Sequence, residues 1–214
     1  MDVETGHEAG ALGAEPLAAA ATHWAFVYPN GWWSVALEDA GRIDERVRDV
    51  VVRRLGRRDD RARARREARE QLARAAHGAA EQGALSISIF SMDVAGIAIT
   101  GTMAVFPYDV GPGSEPDELV ARIAASVSGA DVDRRTLADG WILRAVRQTA
   151  LERTDDAGNP ELPELRADYW TERTGLGRIL QVSFTTPFVP LRDGMVELFD
   201  AVVLSLHPVV REEG

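Results

Sequence analysis

The chain contains no cysteine and no lysine. Without cysteine there is no disulfide scaffold, thiolate nucleophile, iron–sulfur cluster or Cys-ligated zinc. Without lysine there is no phosphate-binding lysine of a P-loop. Histidine is scarce: only His7, His23, His77 and His207. None forms a His-x-x-x-His pair or sits at ligand spacing from a carboxylate, so neither metal binding nor imidazole catalysis is indicated. No Gly-x-Ser-x-Gly occurs, and without a well-placed histidine a nucleophilic triad has no support. No run approaches the ~18 apolar residues of a membrane helix. The N-terminal stretch lacks a basic region and its apolar content is mostly Ala and Gly, so it does not read as a signal peptide. The resulting expectation is a cytoplasmic location.

What remains is 214 residues, 45% of them hydrophobic, enough for one well-filled domain. The 34 carboxylates outweigh 24 arginines for a net charge of −10, which repels phosphate backbones and disfavours nucleic acid as a partner. The Arg-only basic set, with abundant Ala, Gly, Asp and Val, matches a GC-rich, actinobacterial genome. Residues 1–20 have little to bury and read as a disordered tail. Residues 21–210 read as a single α/β domain with an Arg-rich helical insertion at about 42–82.

Periodicity outlines the elements. Asn30-Gly31 between aromatic runs at 23–29 and 32–37 predicts a β-hairpin, because both turn positions need positive φ. Trp24, Phe26 and Tyr28 then share a face. Ile43, Val47, Val50 and Val51 mark a buried helical stripe, and Ala68, Leu72, Ala75, Ala76 and Ala79 a weaker one, with Gly56 between them and Gly83 as a stop. Strands return at 84–92 and 97–107, where Gly101 indicates a bulge or a close backbone approach. Ser114 caps a helix whose stripe is Leu119, Val120, Ile123 and Val127. Strands follow at 141–151, 165–174 and 178–186, the last two turned by Gly175-Leu176-Gly177. A final helix carries Met195, Val196, Phe199, Val202, Val203 and Leu206, and Pro208 stops it. Helices separating groups of hairpins imply α+β, a mostly antiparallel sheet flanked by helices. An α/β/α sandwich is the first choice and a curved sheet on one long helix the second.

The Pro29-Asn30-Gly31-Trp32 turn, the paired strands through Tyr169-Trp170 and Gln181-Val182-Ser183-Phe184-Thr185-Thr186-Pro187, and the closing helix from Val196 to Leu206 together resemble the PsbP-like α/β/α sandwich superfamily, especially its actinobacterial LpqN-like members. The resemblance follows element order over residues 24–207. It implies a binding or assembly module and supplies no catalytic residues. The chain departs from the LpqN-like pattern in having no lipobox cysteine and in its Arg-rich helices.

Each remaining candidate competes with a plainer explanation. Ser86, Ser88 and Ser91 read as the polar side of a strand. Gly111-Pro-Gly-Ser precedes a helix, but Glu115, Asp117 and Glu118 would repel phosphate and suit the helix dipole instead. Asp155-Asp156-Ala157-Gly158-Asn159 lacks the spaced acids of a calcium loop and has the composition of a turn. The Arg cluster is sharper. Residues 53–74 hold ten arginines against four carboxylates, a net of +6, leaving −16 on the rest of the chain. Such segregation suits docking of an acidic protein or a second copy; no aromatics interleave for base stacking. The plainer account is a solvated helix with pairs such as Arg63–Glu67 and Arg66–Glu70.

The expected function is therefore a non-enzymatic protein-binding or assembly module, self-association included. Its candidate contacts are Trp32, Trp33, Arg54, Arg57, Arg58, Arg61 and Arg65. The alternative is a small-molecule-binding protein with an apolar pocket between sheet and helix, lined by Trp141, Tyr169 and Trp170. A hydrolase without a recognisable motif is third. No cofactor or metal site is indicated.

Overall fold

The computed structural model of the chain describes residues 22–108, 116–150 and 163–210. The expected tail at 1–20, the loop at 111–114 with its Ser114 cap, and the loop at 155–159 lie outside the described residues. Among the described residues the order is β1 (Thr22–Ala25), β2 (Trp32–Ala36), α1 (Ile43–Leu55), α2 (Ala62–Glu81), β3 (Ser86–Val94), β4 (Ile97–Tyr108), α3 (Pro116–Ser126), β5 (Asp131–Leu137), β6 (Gly140–Ala150), β7 (Pro163–Arg173), β8 (Ile179–Thr186), α4 (Arg192–Leu204) and β9 (His207–Val210). Seven strands form one antiparallel sheet in the order β2-β3-β4-β8-β7-β6-β5, and β1 and β9 form a second, two-stranded sheet. Helices flank the large sheet, so the fold is α+β. No described helix is long and apolar enough to cross a membrane.

Strand alternation gives the sheet two apolar faces. On one, Phe90, Met103, Val105, Tyr169, Val182 and Phe184 pack under α4, whose Met195, Val196, Phe199, Val202 and Val203 are buried. On the other, two separate cores form. Val35, Leu37 and Ile87 pack against Val47, Val50 and Val51 of α1 and Leu72, Ala76 and Ala79 of α2. Trp141, Leu143, Ala145, Trp170 and Ile179 pack against Leu119, Val120 and Ile123 of α3. The expected helical stripes are thus the buried ones, except that Ala75 is exposed. Gly56, at φ +71°, ends α1 and lets α2 fold back beside it. Gly101 lies in unbroken register opposite Phe90, so it marks a close approach and not a bulge. A Cβ there would overlap the Phe90 ring and the Thr185 carbonyl oxygen.

The N-terminal hairpin does not form. β1 pairs with β9, and β2 pairs with β3. A contact distant in sequence accompanies this change. Ser205 at the end of α4 accepts the Val27 N–H at 2.9 Å, which carries residues 26–28 across the α4 face instead of back along β2. Gly31 still adopts positive φ, but its use is different. Its carbonyl accepts the Ser91 N–H at 2.9 Å, and a Cβ would collide with the Ser91 carbonyl oxygen. Two strands were not anticipated. β5, sequence DVDRRTL, is a charged edge strand with no apolar alternation. β9 is four residues long and contains Pro208, which an edge strand tolerates, so the helix stop is also a strand.

Candidate functional site

The edge of the α4 face at β2 and β3 carries small side chains. Ser34 and Ala36 on β2 stand beside Ser88 and Ser86 on β3 in direct register. α4 does not cover this corner. The chain from β1 to the Asn30-Gly31 turn crosses it instead and places Trp24, Phe26 and Tyr28, all half-buried, over the small residues. Small floor and large wall leave a cleft of ≈ 470 Å³. Leu180 and Leu206 close its inner end, Leu176 of the β7–β8 turn its far side, and the charged Glu38 and Arg178 lie at its rim. The volume falls within the range of small-molecule sites, and the lining mixes polar and apolar surface in similar measure.

The aromatic wall continues inward as a stack. The Tyr28 and Trp32 rings lie 5.5 Å apart and nearly parallel; Trp32 stacks on Phe90 at 4.5 Å. Phe184 and Phe199 stack at 4.3 Å beneath them. The wall is therefore braced by the main core. Burial raises the Tyr28 pKa, partly offset by hydrogen bonds from Ser88 and Ser34, so its phenol is a neutral hydrogen-bonding group.

On the same face, toward the opposite β5–β6 edge of the sheet, an ionic cluster ties α4 to the strands. Asp200 accepts the Tyr169 hydroxyl at 2.9 Å, Arg144 at 2.7 Å and Arg135 at 2.9 Å, and Asp133 accepts both arginines from the edge strand. Burial first, then the Asp200 charge and hydrogen bond, push the Tyr169 phenol far above its ordinary pKa. A second cluster lies on the opposite face. Arg147 and Arg166 stand directly opposite each other on β6 and β7, and both reach the buried Asp168, which also accepts the Ser183 hydroxyl at 2.5 Å. Two like charges in register would repel, and the shared carboxylate holds them together. Among the described residues the buried Arg144 Nε of the first cluster has no hydrogen-bond partner, while its other nitrogens pair with Asp200 and Asp133, and both clusters read as structural.

The residues expected from sequence are dispersed. Trp141 and Trp170 sit under α3, where the Trp141 Nε1–H donates to Glu172 at 3.0 Å, whereas Tyr169 faces α4. They fill two cores on opposite sides of the sheet and do not line one pocket, because neighbours in a strand point to opposite faces. Trp32 and Trp33 are divided for the same reason. Trp32, 9% exposed, lies in the aromatic stack, and half-buried Trp33 carries the Arg54 guanidinium 4.5 Å over its ring. Burial lowers the Arg54 pKa. Arg65 donates to the carbonyls of Gly56 and Arg58 and so closes the α1–α2 turn. Arg57, Arg58 and Arg61 are exposed there. Of the expected helix pairs, Arg63–Glu67 forms at 2.8 Å, and Arg66–Glu70 is absent from the ion pairs of the described residues. His77 meets Asp44 at 3.1 Å across the helix pair, a contact that linear spacing could not show. Among the described residues no group of three potential metal ligands converges.

The cleft residues were individually visible in the sequence. Their signal was the run of small residues on one side of two consecutive strands, Ser34, Ala36, Ser86 and Ser88, which is easily taken for a solvent face. Ser88 is buried and Ser86 half-buried, while Ser34 and Ala36 remain exposed at the open side of the cleft. No protein-family model, curated protein or solved structure matches the chain.

Proposed function

We propose that the protein is a non-enzymatic binding module whose ligand is a flat or aromatic small molecule held in the cleft beneath Trp24, Phe26 and Tyr28. One observation carries this reading: a ≈ 470 Å³ space with an aromatic wall and a floor of Ser34, Ala36 and Ser86. Rings stack favourably on such a wall, and Tyr28 and the serines offer hydrogen bonds to one polar edge. The test is a titration with 1-anilinonaphthalene-8-sulfonate followed by fluorescence. Saturable one-to-one binding that is abolished by Ser86→Trp, which fills the floor, and weakened by Trp24→Ala, which removes wall, supports the site. Absence of saturable binding, or equal binding by both variants, rejects it.

A second reading, docking of another copy of the chain, is favoured by a different surface. Val94, Ile97 and Leu191 are 51%, 57% and 42% exposed around an apolar groove of ≈ 730 Å³ between the β3–β4 turn and the start of α4. Exposed apolar groups concentrated in one place commonly mark interfaces. Light scattering at low and high salt tests it. A salt-resistant dimer that Ile97→Asp dissociates supports homotypic docking, and a monomer in both conditions removes it.

A further inference from the structure

The α1–α2 helix pair carries an unneutralised cation cluster that the ligand cleft does not use. Arg48 of α1 and Arg65, Arg66 and Arg69 of α2 surround a recess of ≈ 200 Å³ floored by Val51 and Val52. Within α2, Arg65 and Arg69 stand four residues apart and Arg66 and Arg69 three, spacings at which like charges destabilise a helix. α2 also begins against the usual rule. Its first turn holds no acidic residue, and Arg61 before it provides no side-chain cap, so arginines crowd the positive end of the helix dipole. Glu67 pairs with Arg63 at 2.8 Å, and Asp59 and Asp60 precede the helix, but the arginines of the recess gain little from carboxylates. Among the described residues Arg48 pairs only with the exposed Asp49, at 3.8 Å. Among the described residues Arg66 and Arg69 have no ion pair within 4.0 Å, although Glu67 and Glu70 are their sequence neighbours. Arg65 is held in place by two backbone carbonyls. Two helices therefore bring four arginines to the lining of one small recess.

We propose that this recess binds a phosphoryl group, with Arg48, Arg66 and Arg69 as its ligands. Guanidinium forks match phosphate oxygens geometrically, and a doubly charged phosphoryl group relieves more of the repulsion than a single carboxylate does. The recess has room for one such group and no track for a polymer. No aromatic residue lines it for base stacking, and the −16 carried by the chain outside 53–74 repels a long polyanion. The phosphoryl group can belong to a soluble phosphate ester or to a lipid headgroup.

Calorimetric titration with inorganic pyrophosphate, and sedimentation with phosphatidylcholine vesicles with and without phosphatidic acid, test this on the full chain. Three proteins are compared: the unaltered chain, Arg66→Gln/Arg69→Gln, and Arg57→Gln/Arg61→Gln, which removes equal charge from the exposed turn. Saturable pyrophosphate binding, or phosphatidic-acid-dependent sedimentation, that falls roughly tenfold per guanidinium removed from the recess and stays nearly unchanged in the turn variant supports the site. The arm that responds identifies the source of the phosphoryl group. No response in either arm, or equal losses in both variants, overturns it. So does preferential retention of duplex DNA that both variants weaken alike, since that would assign the arginines to a diffuse nucleic-acid surface.

Discussion

The two faces of the large sheet are built from different materials. Under α4 the core is aromatic and continuous: Trp32, Phe90, Phe184 and Phe199 stack through it, and the Asp200 cluster fastens the helix to three strands. Under α1 and α2 the core is Val, Leu and Ala, and α2 buries only Leu72, Ala76 and Ala79 along its 20 residues. The first face holds the fold and braces the aromatic cleft. The second holds a helix pair to the sheet by a thin seam and leaves the rest of α2 to charge. The arginine-rich surface of α2 thus lies away from the aromatic core under α4.

That contrast can be broken by substitution. Phe199→Ala removes a fully buried ring from the stack and is expected to cost about 4 kcal/mol, whereas Leu72→Ala, in the thinner seam, is expected to cost about 2. Urea denaturation of both variants measures the difference, and equal losses would show that the seam is as tightly packed as the stack. Asp200→Ala is next, at about 3 kcal/mol, because it removes the closest partner of the largely buried Arg144 and the acceptor of the buried Tyr169 phenol. A loss below about 1 kcal/mol in the same experiment would mean that solvent already serves those groups.

The smallest expected effect is pH-dependent. Tyr169 binds its proton more tightly folded than unfolded, since burial and Asp200 both disfavour the phenolate. The stability contributed by its neutral phenol is therefore complete below the unfolded value of ~10 and declines as pH rises above it. Tyr169→Phe is expected to lose about 1.5 kcal/mol at neutral pH and to flatten the alkaline decline. Thermal melts between neutral and strongly alkaline pH follow both. An unchanged alkaline slope in the variant would assign the decline to other groups.

Much of this architecture was legible in the chain. The stripes Ile43-Val47-Val50-Val51 and Met195-Val196-Phe199-Val202-Val203 carry a 3.6-residue period, and each stripe buries as that period requires. The β3–β4 and β7–β8 hairpins follow from apolar runs joined by Gly-containing turns. The Arg segment and its charge were also plain. The candidate site was legible only in fragments. Trp24, Phe26 and Tyr28 could be placed on one face, but what they cover could not.

The limit is physical. Periodicity, turn chemistry and charge act within one element, so the sequence alone determined the helices, most strands, the antiparallel class and the basic segment. Pairing between distant segments is decided by competing contacts. A hydroxyl at Ser205, 178 residues from Val27, redirects the chain so that β1 meets β9 instead of β2. The same diversion leaves the small residues of β2 and β3 uncovered by α4 and brings three aromatic rings over them. Likewise, Arg48 joins Arg65, Arg66 and Arg69 only because α2 folds back along α1. Both sites arise between elements, where tertiary packing and no local rule sets which side chains meet.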